Sequence, residues 1–416
     1  MRFNKGLYTD WRLLNIFVLG FSSGLPFLLT LSTLSFWLSE EGISKSTIGL
    51  FMLTSLPYSL KFLWAPFFDT FKVPFLSKIL GKWKSWAFVV QVSLMGSLCF
   101  LSFFDPKTSI GYTALGAFLV AFFAASQDIL IDTFRIEVLR PEQSGIGAAL
   151  ETIGFRFGMI ASGAGALFLA TTFSWGQAYR ILSYGVIFGI LSFLFLKEPN
   201  HLKAIEKISL ESWFVRPWKD FPYKSALKQI LLMVLALKGI DTVLSAMSAP
   251  FLCELGYSKI EYASVTKVFG ITWMVLGGVA GGFMLTQFSL KPSLFVCLLL
   301  QVIASLMFLI LNVSDHNLNV LVIAIGIESF ASGITSTCFI SYLSGFCKKP
   351  HTAIHFTLLY SFGSLCRVLI SALSGSIAQS FGWGPLFLFA LAFTVPGFMV
   401  LKHLVRADDK TLRRAA

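Results

Sequence analysis

The stretch from Ala125 to Arg156 reads ASQDILIDTFRIEVLRPEQSGIGAALETIGFR and places several charged side chains inside two long apolar segments. Asp128 and Asp132 are four residues apart, and Arg135 follows three residues later. On a helix these spacings put the three side chains on one face. A charge at the centre of a bilayer costs about 2.5–3.5 kcal/mol, so such groups normally face a protein interior or a water-filled path. The stretch therefore predicts a short ladder of two acids and a base inside a membrane.

The composition of the whole chain indicates an all-α integral membrane protein. Of its 416 residues, 56% are hydrophobic and only 13% are charged, whereas about 25% are charged in a typical soluble domain. A spanning helix needs about 20 mostly apolar residues, and twelve transmembrane helices account for the length. The predicted spans are 13–36, 47–68, 86–104, 110–134, 145–170, 180–196, 228–252, 260–286, 293–312, 318–346, 352–378 and 384–402.

The distribution of Lys and Arg predicts the orientation of these spans. With the N-terminus inside, 24 basic residues fall in inner segments and 4 in outer segments. By the positive-inside rule both termini are cytoplasmic, which requires an even number of spans. The same rule explains the net charge of +12 without a nucleic-acid partner. The six cysteines are scattered and form no CxxC, so we expect no metal site and no cofactor.

The longest inner loop divides the predicted spans into two groups of six. We expect an N-terminal six-helix half at 1–197, a cytoplasmic linker at 198–227 and a C-terminal six-helix half at 228–416. The linker is basic but contains Trp213, Phe214 and Trp218, which predicts that it lies partly on the inner membrane surface.

Ionisable residues that lie away from the span ends follow a period of three spans in both halves. Spans 3, 6, 9 and 12 have none, and their most polar interior residues are Gln91 and Gln301. Parallel half-repeats built from such triplets are the plan of major facilitator transporters, so we predict that fold. The candidate residues for a substrate or proton pathway are Lys61, Asp128, Asp132, Glu151, Arg156, Lys238, Asp241, Lys267, Glu328 and Arg367.

Spacing leaves the partners of several of these charges open. Lys238 and Asp241 are three residues apart and form either a local ion pair or part of the pathway. Glu151 and Arg156 point about 140° from one another on an ideal helix, so we expect their partners on other helices. Lys61 either faces the interior or extends to the inner surface.

The candidate residues also differ in how far they lie from the ends of their spans. The deepest are Arg156, Lys238 and Glu328, each about 15 Å along its span at about 1.5 Å per residue. Arg135 lies near an inner helix end, where water can solvate it, which makes it the least secure member of the ladder.

The energy source is also constrained by the sequence. There is no G-x-x-x-x-G-K-[ST] motif for ATP, so uphill transport must use an ion gradient. Buried carboxylates near cations are how a membrane protein binds and releases a proton, and no feature marks a sodium site.

Several stretches resemble the AmpG family of muropeptide permeases. The first is LGFSSGLPFLLTLSTLSFWLSEEGISKSTIGLFMLTSLPYSLKFLWAPFFD, from Leu19 to Asp69. ASQDILIDTFRIEVLRPEQSGIGAA followed by GFRFGMIASGAGAL resembles spans 4 and 5 of that family. KGIDTVLSAMSAPFLCELGYS and KVFGITWMVLGGVAGG, in spans 7 and 8, give a weaker match.

The resemblance implies a major facilitator transporter of the inner membrane that imports anhydro-muropeptides by using the proton gradient. These substrates are sugar–peptide fragments of peptidoglycan with several carboxylates, which buried cations can bind. The residues that the resemblance assigns are Asp128 and Asp132 in QDxxxD, Lys61 in KFLWAP, Arg156 in GFR, and Lys238, Asp241 and Lys267 in the second half.

Two other functions remain open at this point. One is a facilitator-type transporter of another anionic metabolite, such as acetyl-CoA. The other is an intramembrane enzyme in which Asp128 and Asp132 hold a magnesium diphosphate, but such an enzyme needs a second acidic motif, and spans 7 to 12 supply only Asp241 and Glu328, singly. We therefore expect a transporter rather than an enzyme, working as a monomer.

Overall fold

The computed structural model describes residues 10–139, 143–196, 226–346 and 352–406. Every element of regular secondary structure in these ranges is helical. Within them, eleven helical segments are long and apolar enough to cross a bilayer: Trp11–Glu40, Lys82–Leu101, Ile110–Arg135, Ile146–Thr172, Trp175–Phe195, Leu227–Glu254, Lys259–Gln287, Leu290–Val313, Leu318–Gly345, Leu359–Phe381 and Trp383–Lys402. The prediction of an all-α membrane protein is confirmed, and each of these segments corresponds to one predicted span.

The one predicted span without such a segment is the second, at 47–68, because it is not one continuous helix. Its α-helices are Lys45–Phe51, Leu56–Leu60 and Ala65–Thr70, joined through 3₁₀ turns at Met52–Ser55 and Lys61–Leu63. Pro57 and Pro66 lie in the first turns of the second and third of these helices, where the missing amide hydrogen of proline costs no helical hydrogen bond. The predicted range is helical, but the prediction of one continuous helix there is wrong.

The other helices of the first half are nearly continuous. In chain order they are Trp11–Leu29, Ser32–Glu40, Leu76–Leu80, Lys82–Leu101, Ile110–Val138, Ser144–Ile160, Ala166–Thr172, Trp175–Ser183 and Val186–Phe195. A π-helical turn at Ala161–Gly165 joins the two α-helices of the fifth span.

The second half repeats this plan of long helices. Its α-helices are Leu227–Glu254, Lys259–Tyr262, Gly270–Gln287, Leu290–Val313, Leu318–Gly345, Thr352–Phe381, Trp383–Ala392 and Thr394–Arg406. A second π-helical segment, Ala263–Phe269, interrupts the eighth span.

Small residues bring one pair of helices close together in each half. The first and fifth spans touch at Gly154, where an added Cβ would collide with the backbone oxygen of Phe17. The eighth and tenth spans touch in the same way at Gly333, beside the backbone oxygen of Met274. Without a hydrophobic force between helices in lipid, such close backbone packing is what holds membrane helices together. It also fixes which face of the fifth span packs against the first span, and which face of the tenth packs against the eighth.

The described residues divide into two compact units. Unit 1 comprises Met1–Ile43 and Thr54–Ile205, and unit 2 comprises Ser44–Leu53 and Glu206–Ala416. The segment Ser44–Leu53 therefore packs with unit 2, although it belongs to the second span in sequence. The domain boundaries drawn from the sequence stay a prediction, and the predicted linker at 198–227 lies almost entirely outside the described residues.

Specific contacts hold Ser44–Leu53 within unit 2. Lys45 Nζ lies 2.7 Å from Glu254 Oε2 and 4.5 Å from the centre of the Trp383 ring. Ser46 Oγ lies 3.2 Å from Ser376 Oγ on the eleventh span. A Cβ added at Gly375 would collide with the backbone oxygen of Lys45, so the two backbones touch directly.

Candidate functional site

The fourth span, Ile110–Val138, carries the acid–acid–base ladder on one face, as its spacing predicted. Arg135 Nη2 lies 2.9 Å from Asp132 Oδ1, three residues away along the helix. The Asp132 side chain is 45% exposed and that of Arg135 24%. The ion pair is therefore reachable from outside the helix packing rather than sealed in it.

Lys61 joins this group from the second span. Its Nζ atom lies 3.7 Å from Asp132 Oδ2, so of the two readings of Lys61 the interior one fits the structure. The residue begins the 3₁₀ turn Lys61–Leu63. Trp64 follows that turn and donates its indole N–H to Ser126 Oγ on the fourth span at 3.0 Å, which fixes the turn beside the acids.

Glu151 reaches the same group from the fifth span. Its Oε2 atom lies 2.5 Å from Arg135 Nε, so its partner is on another helix, as expected. Arg135 thus bridges Asp132 and Glu151 and stands at the centre of the group. Sequence reasoning treated it as the least secure member because depth along the helix says nothing about the neighbouring span. Its spacing of three from Asp132 was the available signal.

Asp128 is held differently from the other two acids. The Ser23 hydroxyl of the first span donates a hydrogen bond of 2.6 Å to Asp128 Oδ1. Among the described residues, no cation lies within 4.0 Å of the Asp128 carboxylate. Ser23 was missed by sequence analysis, because one serine in an apolar span carries no distinguishing signal.

Arg156 lies outside this group of ion pairs. Its Nη1 atom lies 3.5 Å from Met159 Sδ on its own helix, and five residues of helix turn it away from Glu151. We refer to Lys61, Asp128, Asp132, Arg135 and Glu151 as the unit 1 charge cluster.

In unit 2 the predicted lysines lie over aromatic rings. Lys238 Nζ is 4.7 Å from the centre of the Phe339 ring, and Lys267 Nζ is 4.8 Å from that of Tyr262. In the described part of the chain, no ion pair within 4.0 Å joins Lys238 to Asp241. The reading of these two residues as a local ion pair is therefore wrong, because Lys238 turns toward an aromatic ring on the tenth span instead.

Glu328 lies near two other charged side chains of unit 2, Asp241 and Lys267. It accepts a hydrogen bond of 3.0 Å from the Ser329 hydroxyl. Lys267 is only 7% exposed and lies within the π-helical segment Ala263–Phe269. Single-turn π-helices occur frequently at functional sites. Arg367 is half-buried on the eleventh span.

These features define the class of the protein. The chain has long apolar helices in two units, one interrupted span and ionisable side chains inside each unit. This is the architecture of a secondary transporter. A model of the Major Facilitator Superfamily matches residues 13–314 and 230–416. Solved structures give the same fold: the nucleoside transporter NupG has a TM-score of 0.73 at 14% identity over 94% of this chain and 99% of its own. A D-xylose–proton symporter has a TM-score of 0.70 at 12% identity, covering 94% and 95%.

Sequence relatives narrow the class further. An AmpG transporter of Rickettsia conorii is 33% identical over 97% of this chain and 99% of its own length. The anhydromuropeptide permease of Escherichia coli is 31% identical over 96% of this chain and 82% of its own length. The chain belongs to the AmpG family of the major facilitator superfamily. It is an integral protein of the inner membrane and a transporter rather than an enzyme, as the sequence predicted.

Proposed function

We propose that this chain is a proton-coupled permease that imports anhydro-muropeptides across the inner membrane. The observation that carries the proposal is the unit 1 charge cluster, in which three carboxyl groups and two basic groups from three spans meet inside a membrane protein. The 31% identity to a protein named as an anhydromuropeptide permease supports the substrate.

The chemistry of the two units suits this substrate and this energy source. Carboxyl groups inside a membrane protein can take up and release a proton, and unit 1 holds three of them together. A sugar–peptide with several carboxylates needs positive partners, for which we propose Lys238, Lys267, Arg156 and Arg367, with Lys61 beside the acids. A ring face attracts a lysine ammonium group without placing a carboxylate beside it, so the same ammonium group can also attract an anion.

The orientation and assembly belong to the same proposal. Both termini lie on the cytoplasmic side, as the distribution of basic residues predicts. One chain with two six-helix halves forms a complete transporter, so the protein works as a monomer.

The test is uptake of a radiolabelled anhydro-muropeptide by vesicles that contain the purified protein in known orientation. We expect accumulation only with an inward proton gradient, and loss of accumulation when an uncoupler is added. Vesicles without protein and an unlabelled nucleoside competitor serve as controls. Absence of uptake by folded, correctly oriented protein would remove the muropeptide as substrate. Accumulation that is insensitive to the uncoupler would remove the proton coupling.

A further inference from the structure

The unit 1 charge cluster contains one more acid than base. Its acids are Asp128, Asp132 and Glu151, and its bases are Lys61 and Arg135. Leaving an uncompensated charge inside a protein is far more costly than leaving it in water. One carboxyl group of the cluster is therefore the natural place for a proton.

The contacts distinguish the three carboxyl groups. Asp132 lies beside two cations, at 2.9 Å from Arg135 and 3.7 Å from Lys61. Glu151 has Arg135 at 2.5 Å. Protonating either acid would remove one of the two charges of an ion pair that the cluster forms. In the described chain, Asp128 is the cluster acid without a cation within 4.0 Å.

The Ser23 hydroxyl can hydrogen-bond to Asp128 whether the carboxyl group is ionised or protonated. The Ser23 hydroxyl donates to Oδ1 at 2.6 Å when the acid is ionised. Because a hydroxyl both donates and accepts, it can keep this bond or turn and accept from the protonated carboxyl. An arginine or lysine in the same place has no acceptor and would hold the acid in its ionised form.

We propose that Asp128 is the carboxyl group that carries the transported proton, and that Ser23 is its positioning residue. In this proposal Asp132 and Glu151 are permanent counter-ions of Lys61 and Arg135. The inference rests on the proposed proton coupling and assigns it to one atom group. The proton comes from water, adds to a carboxylate oxygen of Asp128 and leaves to water, so no other bond in the protein is formed or broken. The net charge of the cluster changes from −1 to zero.

The experiment is an infrared pH titration of the purified protein in lipid, without any substrate. A protonated carboxyl group shows a carbonyl stretching band that disappears when it ionises. We expect Asp128→Asn to lose a component of this band that the unmodified protein, Asp132→Asn and Glu151→Gln all retain. Asp128→Glu keeps a carboxyl group and should restore a carbonyl band. Its presence would show that a substitution at this position does not by itself prevent folding.

Ser23→Ala tests the positioning role. Loss of its hydrogen bond should move the frequency of the Asp128 component and its titration midpoint while the component remains. The matched control is Ser97→Ala, because Ser97 is a buried serine of unit 1 whose hydroxyl donates to Ser93 O on its own helix at 2.7 Å. This control should change neither value.

Two results would overturn the assignment. One is that the band component persists in folded Asp128→Asn and is lost in Asp132→Asn or Glu151→Gln. The other is that Ser23→Ala and Ser97→Ala give the same spectrum. Since the titration uses no muropeptide, it is independent of the uptake test. A titrating Asp128 in a protein that takes up no muropeptide would leave this assignment in place and remove only the substrate.

Discussion

The two units hold their buried charges in different ways. In unit 1 acids and bases neutralise one another through Arg135, which contacts Asp132 and Glu151. In unit 2 Lys238 lies over the Phe339 ring and Lys267 over the Tyr262 ring. A network of ion pairs with one excess acid is suited to adding and removing one proton, whereas a lysine that contacts a ring face is suited to attracting an anion. We propose that the acids of unit 1 carry the proton coupling and that the lysines of unit 2 contribute to substrate affinity.

The largest effect should come from Asp128→Asn in unit 1. The amide cannot take up a proton, so gradient-driven uptake should fall to the background of empty vesicles. Exchange of labelled for unlabelled substrate across the membrane, measured without a gradient, should persist. Equal loss of exchange in folded protein would contradict the separation of coupling from affinity.

Arg135→Ala should cause the next largest effect, on stability. Breaking a fully buried ion pair costs about 3–5 kcal/mol, and exposed pairs contribute about 0–1 kcal/mol. Because the Arg135 side chain is 24% and that of Asp132 45% exposed, we expect a loss of about 1–3 kcal/mol, measured as a lower Tm in detergent.

The control for Arg135 is Arg180→Ala. Arg180 lies over the Phe103 ring at 4.6 Å, an interaction that contributes about 0.5–1 kcal/mol at an exposed site. Adding Glu151→Ala to Arg135→Ala should recover part of the lost stability, because it removes the orphaned acid. Equal Tm values for Arg135→Ala and Arg180→Ala would show that the cluster does not stabilise unit 1.

Lys238→Gln in unit 2 should weaken substrate binding by about tenfold. A charge-assisted hydrogen bond contributes about 1.5–3 kcal/mol, and about 1.4 kcal/mol corresponds to a factor of ten. We expect a higher KM for muropeptide uptake with little change in the maximal rate. Lys238→Arg keeps the charge and should behave nearly as the unmodified protein. A lower maximal rate with unchanged KM would place Lys238 in the translocation step instead.

The smallest effect should come from two buried glutamines, one in each unit. Gln91 Nε2 donates to Ser22 Oγ at 3.4 Å, and Gln301 Nε2 donates to Thr335 Oγ1 at 3.3 Å. Hydrogen bonds between membrane helices contribute about 0.6 kcal/mol on average. Gln91→Leu and Gln301→Leu should therefore lower Tm slightly and to a similar extent, without affecting coupling. A clear difference between them would show that the units also differ in their helix packing.

Hydropathy and spacing were sufficient to predict eleven of the spans and the ladder on the fourth span, because both depend on residues close in sequence. The salt bridge between Arg135 and Glu151 depends on the rotation of the fifth span, which the close contact of Gly154 with Phe17 helps to fix. That rotation is absent from any hydropathy pattern. Ser23 could not be singled out, because its role comes only from its distance to Asp128.

The prediction of a continuous second span failed for a related reason. Its residues are apolar enough to predict one helix. Pro57 and Pro66, however, each lie in the first turn of a new short helix. Proline within a membrane helix is tolerated when neighbours satisfy the freed backbone, so its presence alone did not predict a break.

The segment Ser44–Leu53 has a consequence for how the protein is made. Ser46 contacts Ser376, a residue that the ribosome adds 330 positions later. At about 5–20 residues per second, this separation corresponds to roughly 15–65 s of translation. During that interval the early segment is already in the bilayer while the surface that will cover it does not yet exist. Biogenesis of unit 2 is therefore completed only at the end of synthesis, and a C-terminal half produced alone would lack one of its own helices.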